Sequence, residues 1–441
     1  MMNQTELERR LLNALLDRYE RSKSFSEEAP GRRRVLLRLY QDGKSDFSLY
    51  NIEDNDARCG VNQAAAHLAA MHWIGLEWMR GEEGHILRRV ALLPHAIPEI
   101  YRAVGRVPLQ NQLELLEGEL DEALNTVDSD WAKAYLLHLL DFIRHNRRSP
   151  AELPSDPQQR KEWLSVLCAA ASPRQEPLLE RTFSIRYLGD SKAFENSYRG
   201  MLLSALRRFL AIDTSEMSND ELLRQVGLEK YPELFSLCGN ISLLFPGQPA
   251  LSIRSFADGI QLSARDAAAL QLRFSESVHT LLFVENKANY HHSLRNRTEE
   301  TAVIFHGGFF SPQRGAFFKK LCEAAGPDRR LLHWGDIDLG GFQMHARLRR
   351  EIDPRFAQYR MDKSELESHT AQTLPFSEDY ARKLELLLQD PVLSDAQETL
   401  IYMLSHRRRL EQGALPPQLG PAAKITLLAS SRGLVPAGTS S

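Results

Sequence analysis

Three short apolar runs in the second half of the chain constrain its fold more than any other feature. They are LLFV (281–284), TAVIF (301–305) and LLHW (331–334), and polar residues do not alternate with apolar ones in any of them. A basic segment (287–297) and a helical segment (311–325) separate the runs. Non-alternating apolar strands separated by helices are typical of a parallel sheet that is buried on both faces. The sequence therefore predicts an α/β domain with helices flanking a parallel sheet.

Polar residues and glycines directly follow each of these runs. They are Glu285 after the first, His306 with Gly307–Gly308 after the second, and Asp336 with Asp338 after the third. A fourth strand-like run, RFAQYRMD, lies at 355–362. Functional groups collect at the carboxyl ends of parallel strands, so Glu285 and the two aspartates are expected to converge if their strands are neighbours. Because extended side chains alternate, Asp336 and Asp338 would point the same way while Ile337 packs behind them.

Converging carboxylates predict a cation. Near neighbours of like charge raise one another's pKa unless something neutralises them. Oxygen-only ligands select a hard divalent ion, so the expected cofactor is Mg²⁺ or Mn²⁺, bound by Glu285, Asp336 and Asp338. A simpler interpretation also stays open, because a carboxylate at a strand end often just caps the following helix.

The residues around the carboxylates carry further expectations. Gly335, Gly340 and Gly341 are expected to let the backbone turn sharply and to let a phosphate approach closely. His333 and Trp334, at the end of the LLHW run, are expected to be packing groups rather than ligands.

The composition excludes several classes of protein. The chain has 441 residues, a net charge of −3 and four cysteines, which form no CxxC pair, so neither a disulfide framework nor a thiolate zinc site is predicted. No apolar run approaches the roughly 18 residues that a membrane helix needs. The polar N-terminus, MMNQTELERR, lacks a signal-peptide segment. We therefore expect a cytoplasmic protein of two to four domains without a membrane partner.

Three common nucleotide or acyl-transfer motifs are also missing. HGGF (306–309) could form an oxyanion loop, but the chain has no GxSxG nucleophile elbow. Gly43–Ser45 reads GKS but lacks the earlier glycine of a P-loop, and no GxGxxG marks a dinucleotide site.

The first part of the chain predicts helices and a hairpin. An amphipathic helix is expected at 5–21 and another at 61–74, followed by strand-like runs LEWMR (76–80) and HILRRVALL (85–93) around a glycine-flanked turn. A helix with a β-hairpin outlines a winged helix over residues 1–105. Its basic residues point to contact with DNA or with another protein, and both remain open; they are Arg32, Arg33, Arg34, Arg80, Arg88 and Arg89.

The remaining boundaries follow shifts in composition. Residues 106–175 form an acidic helical connector with a proline-rich end, and 176–274 form a mixed α/β central domain. The α/β domain with the parallel sheet spans 275–415, and 416–441 is a tail expected to be poorly ordered. The predicted fold class is thus a multidomain α/β protein.

The strand-end motifs together resemble a known family. A glutamate at one strand end and a DxD with glycines at a later one are similar to the Toprim domain of topoisomerases and primases. FVEN (283–286), HGGF (306–309) and GDIDLGGF (335–342) resemble the JetD family, the nuclease subunits of bacterial Wadjet systems, which are related to the A subunit of topoisomerase VI. The clear motifs cover 279–345, and the stretches at 11–25 and 187–195 are in keeping with them.

The resemblance implies an activity and a set of partners. It implies a Toprim catalytic domain at 275–415, a winged-helix-like domain of the CAP type at 176–274, and a magnesium-dependent DNA nuclease that works as a homodimer. It further implies cleavage of circular plasmid DNA together with an SMC ATPase, a kleisin and a tandem winged-helix subunit. Glu285, Asp336 and Asp338 would be the metal ligands, with His306 and its glycine turn beside them.

Residues near these motifs are candidates for contact with the DNA backbone. They are Lys287, Arg295, Arg297, His306, Arg347, Arg350, Tyr187 and Lys192. In the helix expected at 341–352, Arg347 and Arg350 lie roughly opposite an apolar face, so they would meet phosphates.

This chain differs from the related topoisomerases in the group that would attack the DNA. Those relatives attack DNA with a tyrosine on a winged-helix domain, and the nearest candidate here is Tyr187, in a stretch without their adjacent tyrosines. Tyr187 is expected to be a strand residue packed into the core, so hydrolysis by water is the favoured chemistry. A topoisomerase-like transesterase using Tyr187 and a non-catalytic DNA-binding scaffold remain alternatives.

Overall fold

The computed structural model describes residues 3–22, 25, 34–40, 44–174 and 176–414. The chain divides into two compact units, Met1–Ser172 and Pro173–Ser441. The predicted tail at 416–441, Arg32, Arg33 and Gly43 lie outside the described residues.

The first unit begins with a small α/β arrangement and continues as helices. Its elements are α1 (Gln4–Glu20), β1 (Val35–Arg38), α2 (Asn55–Ala70), β2 (Ile74–Trp78), β3 (Leu87–Leu92), a 3-10 turn (Pro94–Ala96), α3 (Ile97–Val104), α4 (Leu109–Thr126), α5 (Asp130–Asn146) and α6 (Pro157–Ala171). The strands form an antiparallel sheet in the order β1-β3-β2. Leu11, Leu12, Leu15 and Leu16 form the buried face of α1, as the spacing predicts.

The expected helix and hairpin are present with a shifted helix boundary. The helix predicted at 61–74 is α2, which begins six residues earlier because Asp54 caps it through the N–H groups of Asp56 and Ala57. It ends at Ala70, and Ile74 already pairs with Leu92 in the hairpin. On that hairpin Arg88 lies 3.2 Å and Arg89 3.8 Å from the carboxylate of Glu77.

The second unit contains the predicted parallel strands. Its elements are β4 (Leu178–Leu179), α7 (Glu180–Leu188), a π-helical turn (Phe194–Tyr198), α8 (Arg199–Phe209), α9 (Asn219–Arg224), β5 (Leu228–Glu229), β6 (Leu234–Cys238), β7 (Ile241–Leu244), β8 (Leu251–Ser252), β9 (Ile260–Ser263), α10 (Ala264–Ala269), β10 (Gln271–Phe274), β11 (Thr280–Val284), α11 (Lys287–Asn296), β12 (Thr301–Phe305), α12 (Pro312–Ala325), β13 (Arg330–Trp334), α13 (Leu339–Arg347), a π-helical turn (Leu348–Ile352), β14 (Ala357–Gln358), α14 (Lys363–Ser368), a 3-10 turn (Thr370–Gln372), β15 (Leu374–Pro375), α15 (Glu378–Leu388), a 3-10 turn (Pro391–Leu393), α16 (Gln397–His406), β16 (Arg408–Arg409) and a 3-10 turn (Gln412–Ala414).

The main sheet has six strands in the order β14-β13-β11-β12-β6-β9. The first four strands are parallel, as the three apolar runs and RFAQYRMD predict. β6 pairs antiparallel with β12, and β9 pairs antiparallel with β6. Both strands come from the segment 176–274 that the sequence assigns to a separate domain. The sheet therefore extends beyond the predicted boundary at 275, because strands that pair across a long stretch of chain leave no local signal.

Both faces of this sheet are buried, which explains the non-alternating runs. In β11, Leu281 and Phe283 lie in a core with Phe317 and Phe318 of α12. Leu282 and Val284 lie in a second core with Trp334 and residues of α13 and α16. Successive residues of one strand thus enter different cores, so every position has to be apolar.

Candidate metal centre

Three neighbouring strands bring the predicted site residues to one edge of the sheet. Val284 is in register with Phe305 of β12 and Trp334 of β13, so the next residue of each strand lies at the same carboxyl end. The N–H of Glu285 donates to the carbonyl of Trp334 at 3.0 Å, and the N–H of His306 donates to the carbonyl of Val284 at 3.0 Å. The predicted adjacency of the strands is confirmed.

The DxD segment keeps the expected alternation, although β13 has already ended. Ile337 is fully buried and exchanges two backbone hydrogen bonds with Leu410, at 2.8 and 3.1 Å. Asp336 and Asp338, on either side of it, are half-buried. Asp338 also caps α13, because its Oδ1 accepts the N–H of Gly341 at 2.8 Å. The capping interpretation and the clustering of carboxylates therefore both hold for this residue.

The electrostatics show that the carboxylates share one site. Burial, with the charges of Asp336 and Asp338, raises the pKa of Glu285 to about 8, against a hydrogen bond from the N–H of Asp336. Burial is also the main cause that raises the pKa of Asp338 to about 6, and the charge of Asp336 adds to it. Burial raises the pKa of Asp336, while the N–H of Gln412 acts in the opposite direction. The negative charges are thus incompletely neutralised by the chain.

The glycines next to the carboxylates are needed because neighbouring atoms pack closely against them, rather than for a special backbone conformation. A Cβ on Gly335 would lie 2.5 Å from Oε2 of Glu285, and a Cβ on Gly341 would lie 2.1 Å from the carbonyl oxygen of Asp336. Neither glycine has a positive φ, so the backbone conformation itself does not require glycine at either position. Positive φ occurs instead at Gly307 and Gly308, after β12. Gly335 and Gly341 are required because protein atoms occupy the space of a side chain.

The C-terminal segment closes the site, which the sequence did not indicate. The backbone N–H of Gln412 donates to Oδ1 of Asp336 at 2.5 Å. Its side chain accepts the N–H of Asn286 at 2.8 Å and donates to the carbonyl of Trp334 at 3.1 Å. Arg409, in β16, lies 3.5 Å from Oδ2 of Asp338. These contacts join residues that lie far apart in the chain, so no local sequence motif predicts them.

Two further acids lie near the cluster. Glu221 accepts the N–H of Phe309 at 2.9 Å, and its charge contributes to the raised pKa of Glu285. The charge of Glu216 contributes in the same way to the raised pKa of Asp338. Both precede β6, in the segment that the sequence places in the central domain, and no strand-end motif marks them.

Two histidines also lie against Glu285. His306 and His333 are fully buried, and their ring centroids are 4.9 Å apart. Glu285, His306 and His333 each offer a ligand atom, and these three atoms lie within 4.8 Å of one another. His306 is beside the site as expected, but its burial prevents contact with a DNA backbone in this structure. His291 and His292, by contrast, are exposed.

The basic residues predicted to contact DNA differ in how far their side chains are exposed to solvent. Lys287 and Arg295 are exposed on α11, and Arg297 follows it half-buried. Arg350 has a half-exposed side chain that pairs with Asp390.

Arg347 does not lie on the expected exposed face. Its side chain is 12% exposed, lies 3.1 Å from Glu351 and covers the ring of Phe310 at 4.3 Å. The sequence misplaced it because the prediction assumed one exposed face, whereas residues on several sides of α13, such as Phe342, His345 and Ala346, are buried.

Tyr187 lies on a helix, so its expected place in a core strand is wrong. It is in α7, four residues after Phe183, and the two ring centroids are 4.9 Å apart. The Tyr187 side chain is 36% exposed, and it forms a side-chain hydrogen bond with Arg174. Lys192 is exposed in the turn that follows α7.

The donor set fits a hard divalent cation. Three carboxylates with raised pKa values converge, and Oε2 of Glu285 is buried without a hydrogen-bond partner among the described residues. A buried acceptor without a partner is costly, and a cation would supply the interaction that it lacks.

Comparison with known proteins shows that this region is similar to a known family. Residues 245–420 match the family model described as Wadjet protein JetD, C-terminal. The chain is also 24% identical over 406 residues to Wadjet protein JetD of Bacillus cereus (strain Q1), a match that covers 91% of this chain and 97% of the relative. Both matches confirm the resemblance that the strand-end motifs indicated. Within the described residues, the helices are too short or too polar to cross a membrane.

Proposed function

We propose that this homologue of Wadjet protein JetD is a divalent-metal-dependent DNA endonuclease with a Toprim-type catalytic domain, acting in a Wadjet defence system. The observation that carries the proposal is the convergence of Glu285, Asp336 and Asp338 at the carboxyl edge of a parallel sheet. Three carboxylates with raised pKa values in one site are an arrangement that a bound cation stabilises, and such sites are typical of phosphoryl chemistry.

Each carboxylate has a distinct support from the chain. The N–H of Asp336 orients Glu285, the N–H of Gln412 orients Asp336, and the N–H of Gly341 orients Asp338. Mg²⁺ or Mn²⁺ held by the three would lower the pKa of a bound water and stabilise charge on the phosphate. The guanidinium of Arg409, 3.5 Å from Asp338, offsets part of the negative charge.

The proposed substrate is circular double-stranded plasmid DNA. The likeness to Wadjet protein JetD supports this, together with a homodimeric state and delivery of DNA by an SMC–kleisin complex with a tandem winged-helix subunit. Lys287 and Arg295, exposed on the helix that begins two residues after Glu285, are proposed to contact phosphates.

Water is the proposed nucleophile. The Tyr187 side chain already forms a hydrogen bond with Arg174, and its ring packs on Phe183. Attack by a water held beside the three carboxylates would leave both of these contacts intact.

The test is cleavage of supercoiled plasmid by the purified chain, alone and with its partner complex, in Mg²⁺ or Mn²⁺. Glu285→Gln, Asp336→Asn and Asp338→Asn are each expected to reduce nicking at least about 100-fold, because removal of a catalytic group typically costs 10²-fold or more. Glu276→Gln, an exposed carboxyl before the amino end of β11, is the matched control and retains activity. Cleavage that persists in all three variants would overturn the proposal.

The alternatives give different results in the same assay. A transesterase would leave DNA covalently joined to protein after a denaturing quench, and Tyr187→Phe would remove the adduct. A scaffold without chemistry would bind DNA but neither cleave it nor bind Mg²⁺ by calorimetry.

A further inference from the structure

The histidines beside Glu285 are placed by the same three strands as the carboxylates. His306 directly follows β12, and His333 is the next-to-last residue of β13. Glu285 directly follows β11, which lies between those two strands. Both imidazole rings are 0% exposed, although histidine is more often partly exposed in folded proteins. The proposed hydrolysis assigns neither ring a task.

The polar atoms that converge here have no partners among the described residues. They are Oε2 of Glu285, Nε2 of His306, and Nδ1 and Nε2 of His333. Each buried polar atom without a hydrogen bond is costly, and several such atoms in one place indicate a missing interaction partner. Because ligand atoms of all three residues lie within 4.8 Å of one another, one ion could contact all three.

The surroundings hold His306 in the form that binds a metal. Its Nδ1 lies 3.4 Å from the carbonyl oxygen of Gly308, so Nδ1 carries the proton and Nε2 keeps a free lone pair. The guanidinium of Arg314 donates to the carbonyl of His306 at 2.5 Å, which anchors the backbone. Support of this kind is typical of histidine ligands.

His333 is supported by a third buried histidine. His345 of α13 stacks on it, with ring centroids 5.4 Å apart and an angle of 12° between the rings. Nε2 of His345 lies 3.3 Å from Oδ2 of Asp395, so His345 has its own partner while His333 has none among the described residues. The stack holds the plane of the His333 ring.

We propose that Glu285, His306 and His333 bind a transition-metal ion, Zn²⁺ in the first instance, at a site separate from Asp336 and Asp338 and sharing only Glu285 with them. Two imidazoles and one carboxylate form the ligand set of many three-ligand zinc sites, whereas Mg²⁺ prefers oxygen. The site goes beyond the proposed nuclease function and does not depend on it. For His333 the proposal differs from the expectation of a packing group that the sequence alone gave.

The primary test is metal binding by the full chain after removal of metals with a chelator. Calorimetric titration with Zn²⁺ is expected to show one tight site per chain, and Co²⁺ is expected to give visible absorption bands. His306→Gln and His333→Gln are expected to weaken Zn²⁺ binding at least about 10-fold, as losses around metal sites do. His279→Gln, an exposed histidine directly before the amino end of β11, is the control and retains binding within about 3-fold.

A second measurement needs no variant, so it decides the matter if the histidine variants fail to fold. X-ray absorption at the zinc edge of the wild-type chain is expected to show two imidazoles at about 2.0–2.1 Å and no sulfur at about 2.3 Å. A shell of oxygen alone, a sulfur shell, or a folded wild type that binds no Zn²⁺ would overturn the site.

The outcome is independent of the nuclease proposal. Asp336→Asn is expected to abolish plasmid cleavage and to retain Zn²⁺. If the chain binds zinc but cleaves no plasmid under any condition, only the nuclease proposal is contradicted. If the chain cleaves plasmid but binds no zinc, only the proposed zinc site at Glu285, His306 and His333 is contradicted.

Discussion

The backbone N–H of Gln412 donates to Oδ1 of Asp336 across a chain separation of 76 residues, at 2.5 Å. The Gln412 side chain at the same time bridges the ends of two strands, accepting from Asn286 after β11 and donating to Trp334 of β13. Gln412 is fully buried. One residue from the C-terminal segment thus sets the position of the two strand ends that carry the proposed metal ligands.

Replacing this bridge is expected to loosen the metal site without removing a ligand. Gln412→Ala keeps the backbone N–H but loses the bonds to Asn286 and Trp334. The Mg²⁺ concentration for half-maximal plasmid cleavage is expected to rise about 10-fold, as with other supporting contacts of metal ligands. Gln389→Ala, an exposed glutamine after α15, serves as control. An unchanged Mg²⁺ dependence in Gln412→Ala would show that the bridge does not position Asp336.

A methyl group at Gly335 is expected to disable the site. In Gly335→Ala the new Cβ would meet Oε2 of Glu285 at 2.5 Å and Cε1 of His333 at 3.0 Å, so Glu285 has to move. Cleavage is expected to fall at least about 100-fold, since misplacement by about 1 Å costs about that much.

The matched control for that variant is a glycine with free space. Gly118→Ala lies inside α4 with nothing within 4 Å of the new Cβ, so it is expected to stabilise the first unit by about 0.5–1 kcal/mol. Chemical denaturation of both variants checks this. Full activity in Gly335→Ala would contradict the close approach of Glu285.

The metal-free protein is expected to lose stability as the pH rises from 4.5 to about 8. Burial raises the pKa of Glu285 from 4.5 to about 8, so between these values the folded carboxyl holds a proton that the unfolded chain has lost. Fewer protons on the unfolded state mean that the free energy of unfolding falls as pH increases.

Glu285→Gln removes this titration and is expected to raise the Tm at pH 8 in EDTA by about 2 °C or more, since 1 kcal/mol shifts a large domain by about 2–4 °C. Thermal denaturation between pH 5 and pH 8 measures it, with Glu276→Gln as the exposed control. Added Mg²⁺ should reverse the order of wild type and variant. A Tm difference independent of pH would argue against a buried, protonated Glu285.

DNA binding is expected to depend on exposed cations rather than on Arg347. Lys287→Ala and Arg295→Ala should each weaken binding for all sequences and lower the slope of log affinity against log salt by about 1. Arg347→Ala should instead destabilise the fold, because its guanidinium covers Phe310 and pairs with Glu351. Fluorescence anisotropy over a salt series, paired with denaturation curves, separates the two effects. A salt slope that changes only in Arg347→Ala would reverse this assignment.

The sequence alone determined the parallel strands and the carboxylates at their ends. Apolar runs without alternation indicate burial on both faces, and strand direction then brings Glu285, Asp336 and Asp338 to one edge. These inferences need only local pattern and the geometry of a parallel sheet, and the structure agrees with them. The same local reasoning predicted the wrong place for Arg347, because a contact with the distant residue Phe310 holds its side chain and only the fold brings the two together.

Only the tertiary structure decided what surrounds those carboxylates. β6 and β9 widen the sheet, Gln412 and Arg409 come from the C-terminal segment, and His333 meets His306 beside Glu285. The reason is physical: these contacts join residues that are distant in sequence, and their energy comes from burial and hydrogen bonds that exist only once the strands pair. A histidine in an apolar run looks like a packing residue until the fold places two other ligand atoms within reach of its ring.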